Sequence, residues 1–399
     1  MPTSTHLTFQ LRPIFFLLII FITTLSQVAT DIYLPSLPAM TQALAASKAS
    51  VQLTLSLYML GLATGAVIYG PLSDREGRRK VILIGVSIGL LGNLMCVLSP
   101  SIGLLLGGRV LQGLGLGACT AVGRTMLRDL YQGAKLAQLG SYLGMASVVT
   151  LAAVPIIGGY IQVHFSWRGN FIALFIFTAC MWLLLYAYLP ETNKTLNPHA
   201  MHSKELAKNY WRVLSNKIFA AYLIAVCCTM ASVYVYLTVS PFLFQNTLHL
   251  SPVQFGWTSL AVAGSVFTAS FINTRCVIKQ GISRMLHIGI SLMLVGSCLM
   301  LLLGVLGFIT TWAILLPLII FIMGANFTLS NSSAAAMLAI KQAIGSASAI
   351  FVCGQVLVGA IATAAVSLLH ETSQIPLAII FIVIPLFILL ILKTLGRST

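Results

Sequence analysis

Residues 13–37 read PIFFLLIIFITTLSQVATDIYLPSL, and between Arg12 and Lys48 the only formal charge is Asp31. A helix of about 20 apolar residues crosses the hydrocarbon of a bilayer. A carboxylate in that setting is expensive and usually marks an ion path or a proton relay. The stretch therefore reads as a membrane span that holds one acid for a reason.

The rest of the chain agrees with this reading. Its 399 residues are 58% hydrophobic and only 7% charged, with a mean hydropathy of +0.99. A soluble domain carries about 25% charged residues. The expectation is an all-α, polytopic membrane protein with twelve transmembrane helices, at 13–37, 52–71, 81–98, 103–123, 138–161, 169–189, 218–240, 254–274, 285–306, 312–333, 343–367 and 375–393. The first apolar run continues past SQVAT to Leu37, which marks an uncleaved span rather than a signal peptide.

A net charge of +15 suggests nucleic acid in a soluble protein, but its distribution says otherwise. With the N-terminus inside, 19 of the 22 Lys and Arg fall on cytoplasmic loops. Lys48 and Arg168 fall outside, and Arg109 lies within the fourth span. That asymmetry is a topology signal with affinity for anionic lipid. Both termini are expected in the cytoplasm, with no nucleic-acid partner.

Six spans precede the one long polar stretch and six follow it. This predicts an N-terminal bundle over 1–190, a cytoplasmic linker over 191–217 and a C-terminal bundle over 218–399. Transporters built from repeated halves place their substrate site near the midplane between them.

Enzyme, metal and nucleotide readings find little support. The run GRVLQGLGLGAC (108–119) superficially resembles a phosphate loop but lies inside an apolar span with no strand before it. Small residues at Gly113, Gly115 and Gly117 instead suit close, sliding helix contacts. No GxxxxGK[ST] or HExxH occurs, and the histidines never pair at ligand spacing on one helix. The eight cysteines lie in or at the ends of spans, so no disulfide framework is expected. No cofactor and no metal are expected.

Two constellations carry a mechanism. The loop after the second span reads GPLSDREGRRK (70–80), with Gly70, Asp74, Arg75, Gly77, Arg78 and Arg79. It is either a solvated turn or a gate latch. As a latch, Asp74 caps a neighbouring helix N-terminus and pairs with Arg124 or Arg128 at the base of the fourth span.

The second is the one intramembrane acid with the one intramembrane base. Asp31 lies about 10 Å and Arg109 about 9 Å from the outer boundary, at 1.5 Å per residue. They are expected to be coupled directly or through Gln27, Gln112 or water. The bland alternatives are that Asp31 caps a broken helix end before Pro35 and Pro38, and that Arg109 bonds exposed backbone carbonyls.

GPLSDREGRR resembles the signature loop of the major facilitator superfamily, and GRVLQGLGLGA resembles its helix-4 motif through Arg109, Gln112 and Gly113. VPIIGGY is similar to the antiporter motif of the fifth helix through Pro155, Gly158 and Gly159, although Val154 replaces the glycine found in many members. SWR (166–168) and LPET (189–192) also fit, and TDIYLPSLP is similar to the start of the Bcr/CflA subfamily of bacterial drug:proton antiporters.

The resemblance implies the major facilitator fold, with spans 1, 4, 7 and 10, plus 2, 5, 8 and 11, lining a central cavity. Candidate cavity residues are Gln27, Tyr58, Gln112, Tyr142, Tyr234, Tyr236, Asn326 and Gln355. It also implies proton-driven efflux of small amphipathic compounds across the bacterial inner membrane, by a monomer that uses the proton gradient. The alternative is a transporter dedicated to one metabolite, such as a siderophore, sugar or amino-acid derivative.

Overall fold

A computed structural model describes residues 13–198, 210–340, 344–367 and 373–395. The predicted linker falls partly outside these residues. The described elements are helical throughout.

The long helices are α1 (Pro13–Asp31), α2 (Lys48–Glu76), α3 (Arg78–Val97) and α4 (Ile102–Leu130), followed by Gly133–Tyr188. After residue 210 come α7 (Lys217–Phe242), α8 (Pro252–Gln280), α9 (Ile282–Val305), α10 (Thr311–Leu338), α11 (Ile344–Val366) and α12 (Ile375–Leu395).

Gly133–Tyr188 holds two spans. A straight helix of its 56 residues would measure about 84 Å, nearly three times the hydrocarbon thickness. Ser166 breaks it with φ 63°, separating α5 before from α6 after. The residues of SWR make this corner. Trp167 is buried, Arg168 stacks on it at 4.3 Å, and Arg168 Nη2 donates to Ser99 O at 2.8 Å. Among the described residues the helices long and apolar enough to span therefore number twelve.

The first span departs from expectation. Rather than running unbroken over 13–37, α1 ends at Asp31, and a 3-10 turn (Leu34–Ser36) leads into a short helix, Leu37–Ala43. Pro35 and Pro38 supply the reason, since each lacks an N–H to continue the ladder. Several other helices outrun the apolar segments at the basic end, where charged residues meet the headgroup layer and water.

Within residues 13–188, α4 packs along both α2 and α3, and α1 along α5. Within 217–395, α9 packs on α10, and α7 on α10, α11 and α12. The two groups meet through α5 on α8 and α2 on α11. Hydrogen bonds across this seam run from Gln52 Nε2 to Thr238 O (3.3 Å), Ser56 Oγ to Thr363 Oγ1 (2.7 Å), Gln245 Nε2 to Pro35 O (3.0 Å) and Ser259 Oγ to Ala152 O (2.9 Å). All lie toward the charge-poor end, away from the basic loops.

Gly159 of α5 and Gly256 of α8 explain how closely the two groups approach. A Cβ on Gly159 would stand 2.5 Å from Pro252 O, and one on Gly256 would stand 2.7 Å from Pro155 O. The α4 glycines act differently from expectation. Gly113 and Gly117 face the α2 backbone, and Gly115 faces α3, so they close packing inside one group rather than a sliding surface between two.

Candidate functional site

Asp31 is the last residue of α1 and is 2% exposed. A carboxylate at a helix C-terminus faces the negative end of the dipole. It caps nothing: the 3-10 turn and the short helix after it have no side-chain cap, and Asp31 Oδ2 has no hydrogen-bond partner. Gln27, one turn earlier, is its polar neighbour. Across the seam stand Tyr234, Tyr236 and Ser240 of α7 and Thr258 and Ser259 of α8. A small cavity of about 20 Å³ lies between them.

Arg109 is completely buried and sits in the same layer, yet no ion pair joins it to Asp31 among the described residues. Its Nε donates to Thr54 O at 3.3 Å, and its Nη1 donates to Ala29 O at 3.1 Å and to Gln112 Oε1. The rings of Tyr33 and Tyr58 flank the guanidinium at 4.3 and 4.2 Å. Cation–π attraction is strongest when desolvated, as here. Beyond Gln112 the polar chain continues to Asn93 and on to Thr178 at 3.2 Å, joining α4, α3 and α6.

The carbonyl-bonding role expected as the bland alternative therefore describes the observed contacts of Arg109. Its grip on Ala29 O, two residues before Asp31, fixes the end of α1. Among the described residues no chain of hydrogen bonds through Gln27 or Gln112 joins the two charges: Gln27, beside Asp31, gives Nε2 to Ser147 O at 3.1 Å, and Gln112 turns from Arg109 to Asn93.

At the basic end the signature loop is built around Arg78. Its Nη1 meets Asp74 Oδ1 at 2.6 Å and Ser73 Oγ at 2.6 Å, and its Nε meets Asp129 Oδ2 at 3.0 Å. This corrects two expectations. Asp74 pairs with Arg78 of its own loop rather than with Arg124 or Arg128, which are exposed on α4. The residue at the base of α4 that joins the loop is an acid, Asp129, because Arg78 already brings the cation.

Nor does Asp74 cap a helix. Glu191, from LPET, accepts the backbone N–H groups of Arg78 (2.9 Å) and Arg79 (3.0 Å) at the start of α3. Its Oε1 also accepts from Thr192 N and Asn193 N at 2.9 and 2.8 Å. Arg75 lies beside Glu76 at 3.5 Å, and Arg79 Nη2 donates to Tyr186 O at 2.7 Å.

The family model described as Major Facilitator Superfamily matches residues 19–363. The chain belongs to this superfamily. Among curated relatives it is 28% identical over 320 residues to "Multidrug resistance protein D" of Escherichia coli, covering 80% of each chain. It is 27% identical over 350 residues to the "Bicyclomycin resistance protein homolog" of Haemophilus influenzae, covering 87% of each. It is also 27% identical over 366 residues to the "Chloramphenicol resistance protein" of Pseudomonas aeruginosa, covering 89% of this chain and 84% of that one.

Solved structures share the fold at low identity. A D-xylose-proton symporter superposes with TM-score 0.73 at 16% identity, over 94% of this chain and 96% of the other. A bacterial Spinster homologue, described as inward-facing and unoccupied, gives 0.72 at 13% identity, over 99% and 98%.

In this major facilitator protein the remaining candidates scatter. Tyr236 lines the cavity with Asp31, and Tyr234 lies alongside, its ring against Gly359. Tyr58 is fully buried on Arg109, with its hydroxyl donating to Ser26 O at 2.8 Å. Tyr142 is exposed, edge-on to Phe16 at 6.0 Å. Asn326 accepts from Ser270 at 3.3 Å, and Gln355 donates to Phe351 O at 3.1 Å, both away from Asp31. Gly70 faces open space, and Gly158 packs against the Ile32 carbonyl. Sequence reading missed Asn93, Asp129, Thr178 and Glu191; for Asn93 the signal was an amide inside an otherwise apolar span.

Proposed function

We propose that this multi-pass membrane protein exports small amphipathic compounds across the bacterial cytoplasmic membrane by alternating access, in exchange for protons. The basic loops and both termini face the cytoplasm, the proton gradient supplies the energy, and the protein works as a monomer. Three relatives carry drug-resistance names, which supports the substrate class. One observation carries the mechanism: Asp31 is a buried acid with an unpartnered oxygen at the seam where the two groups of helices meet. A group there can be exposed to one side and then the other as the groups rock, releasing its proton when substrate enters and regaining it after substrate leaves.

The test is chloramphenicol-induced proton release from purified protein in weakly buffered detergent. Wild type releases protons; Asp31→Asn, which keeps shape but cannot titrate, releases none and no longer supports resistance. Asp31→Glu retains partial function. Undiminished release from Asp31→Asn assigns the proton to another group.

A further inference from the structure

Burial along the seam between α5 and α8 falls off toward the basic end. At the charge-poor end the two backbones touch, with no room for a Cβ on Gly159 beside Pro252 O or on Gly256 beside Pro155 O. Residues three or four apart share one helix face. On that face α5 is buried at Pro155, half-buried at Ala152 and Val148, and 59% exposed at Met145. The facing stripe of α8 is buried at Gly256, Ser259 and Ala263, half-buried at Val266 and exposed at Ser270. The two helices therefore part as a wedge that opens toward the basic end.

Where the wedge opens, α8 and α10 hold two carboxamides with hydrogens to give. Asn331 is buried, and its Nδ2 donates to Phe327 O and to Asn273 Oδ1, both at 2.8 Å. A carbonyl can only accept, so the Phe327 contact fixes the Asn331 amide and, through it, that of Asn273. Asn273 turns its oxygen to Asn331 and its NH₂ away. One turn before it, Ser270 Oγ donates to Asn326 Oδ1 at 3.3 Å. Among the described residues no hydrogen bond engages the Nδ2 of Asn273 or of Asn326, and both side chains are half-buried.

No free carboxylate offsets these donors among the described residues. Asp31 lies at the closed end of the seam, beside Pro155 and Ser259, and is almost fully buried. Asp74 and Asp129 pair with Arg78, Glu76 pairs with Lys80, and Glu191 accepts backbone N–H groups. A cation entering the wedge meets N–H donors on one wall and Met145 on the other, with no anion to replace its lost hydration. An uncharged molecule with a carbonyl or nitro oxygen meets two donors and an apolar surface.

We propose that Asn273 and Asn326 are the polar wall of the substrate site, and that they select uncharged amphipathic compounds bearing oxygen acceptors over organic cations. The inference rests on the export reading and adds a substrate class to it.

Equilibrium binding to the purified full-length protein in detergent tests this with two probes. Chloramphenicol is uncharged and carries nitro and amide oxygens; tetraphenylphosphonium is a cation without acceptors. Wild type is expected to bind the first and not the second. Asn273→Leu and Asn326→Leu are each expected to weaken chloramphenicol binding about two- to tenfold, the worth of one hydrogen bond. Asn326→Asp keeps the shape and still accepts from Ser270, but replaces two N–H donors with a carboxylate. It is expected to weaken chloramphenicol binding and to create binding of tetraphenylphosphonium, a gain that misfolding cannot mimic. Wild-type chloramphenicol affinity in both leucine variants, equal binding of the two probes by wild type, or no gain in Asn326→Asp overturns the site. Resistance conferred on a susceptible host separates this failure from that of the export reading. If variants with unchanged affinity still confer resistance, export stands and the site lies elsewhere; if wild type confers none to any compound, export fails and the site fails with it.

Discussion

Glu191 closes the first turn of the helix after the signature loop, its Oε1 accepting the Arg78 N–H at 2.9 Å and its Oε2 the Arg79 N–H at 3.0 Å. The anion sits at the positive end of the α3 dipole and comes from the segment that leaves α6. Gly77 makes the approach possible, with φ +96° and a Cβ position 2.5 Å from Glu191 Oε2. The first stretch of the linker is thereby fastened to the loop, and Asn197 N adds a bond to Asp74 O at 3.0 Å.

Glu191→Gln keeps the shape but removes the charge, and is expected to destabilise this corner by about 1 kcal/mol. Gly77→Ala combines a positive φ with the steric conflict and is expected to be worse. Thermal melting in detergent should rank wild type above Glu191→Gln and Glu191→Gln above Gly77→Ala. Equal melting of wild type and Glu191→Gln would remove the cap from the account.

Asp129→Asn is expected to disturb the loop more than Asp74→Asn. Asp74 is half-exposed, with its side chain 49% accessible, whereas Asp129 is 21% accessible and also accepts from Thr192 Oγ1 at 3.2 Å. Exposed ion pairs contribute little, while desolvated ones are costly to break on one side. Resistance conferred on a susceptible host, measured beside melting, checks the order. A larger loss for Asp74→Asn would return that residue to the latch role.

Arg109→Lys is expected to lower stability by about 2–3 kcal/mol despite conserving charge. An ammonium cannot reach Ala29 O, Thr54 O and Gln112 together in a plane, nor stack between Tyr33 and Tyr58. Because Arg109 does not pair with Asp31, the substrate-induced proton release that Asp31→Asn removes should persist in Arg109→Lys. Loss of that release with a folded protein would restore direct coupling.

The sequence made the membrane class, the twelve spans and the lone intramembrane acid legible because hydropathy and charge act locally. Pro35 and Pro38 were visible, yet a helix end broken at Asp31 entered only as an alternative to a span over 13–37, since proline marks a broken ladder without saying where the preceding helix stops. Partners across the fold were the least legible. Arg109 and Asp31 share a layer by simple depth, but whether they meet depends on side-chain direction, and tyrosine rings occupy the guanidinium instead. Glu191 was quoted within LPET with no role, because its partners lie more than 110 residues earlier in the chain. Asp129 gave no signal for the same reason, its partner Arg78 lying 51 residues earlier.

The last prediction concerns the seam itself. Ser56 Oγ and Thr363 Oγ1 are 2.7 Å apart, joining α2 to α11 toward the charge-poor end. Both residues are fully buried, so their separation is set by packing of the two groups rather than by exposed side-chain motion. A disulfide needs Cβ atoms about 3.5–4.5 Å apart, a spacing that hydroxyls in direct contact make accessible. In a cysteine-free background, Ser56→Cys with Thr363→Cys is expected to cross-link on mild oxidation and to abolish transport. Reductant should restore it, and neither single variant should respond to oxidation. If alternating access opens this seam, holding it shut must stop turnover. Full transport by the cross-linked protein would mean that α2 and α11 stay together throughout the cycle, and the movement would have to occur elsewhere.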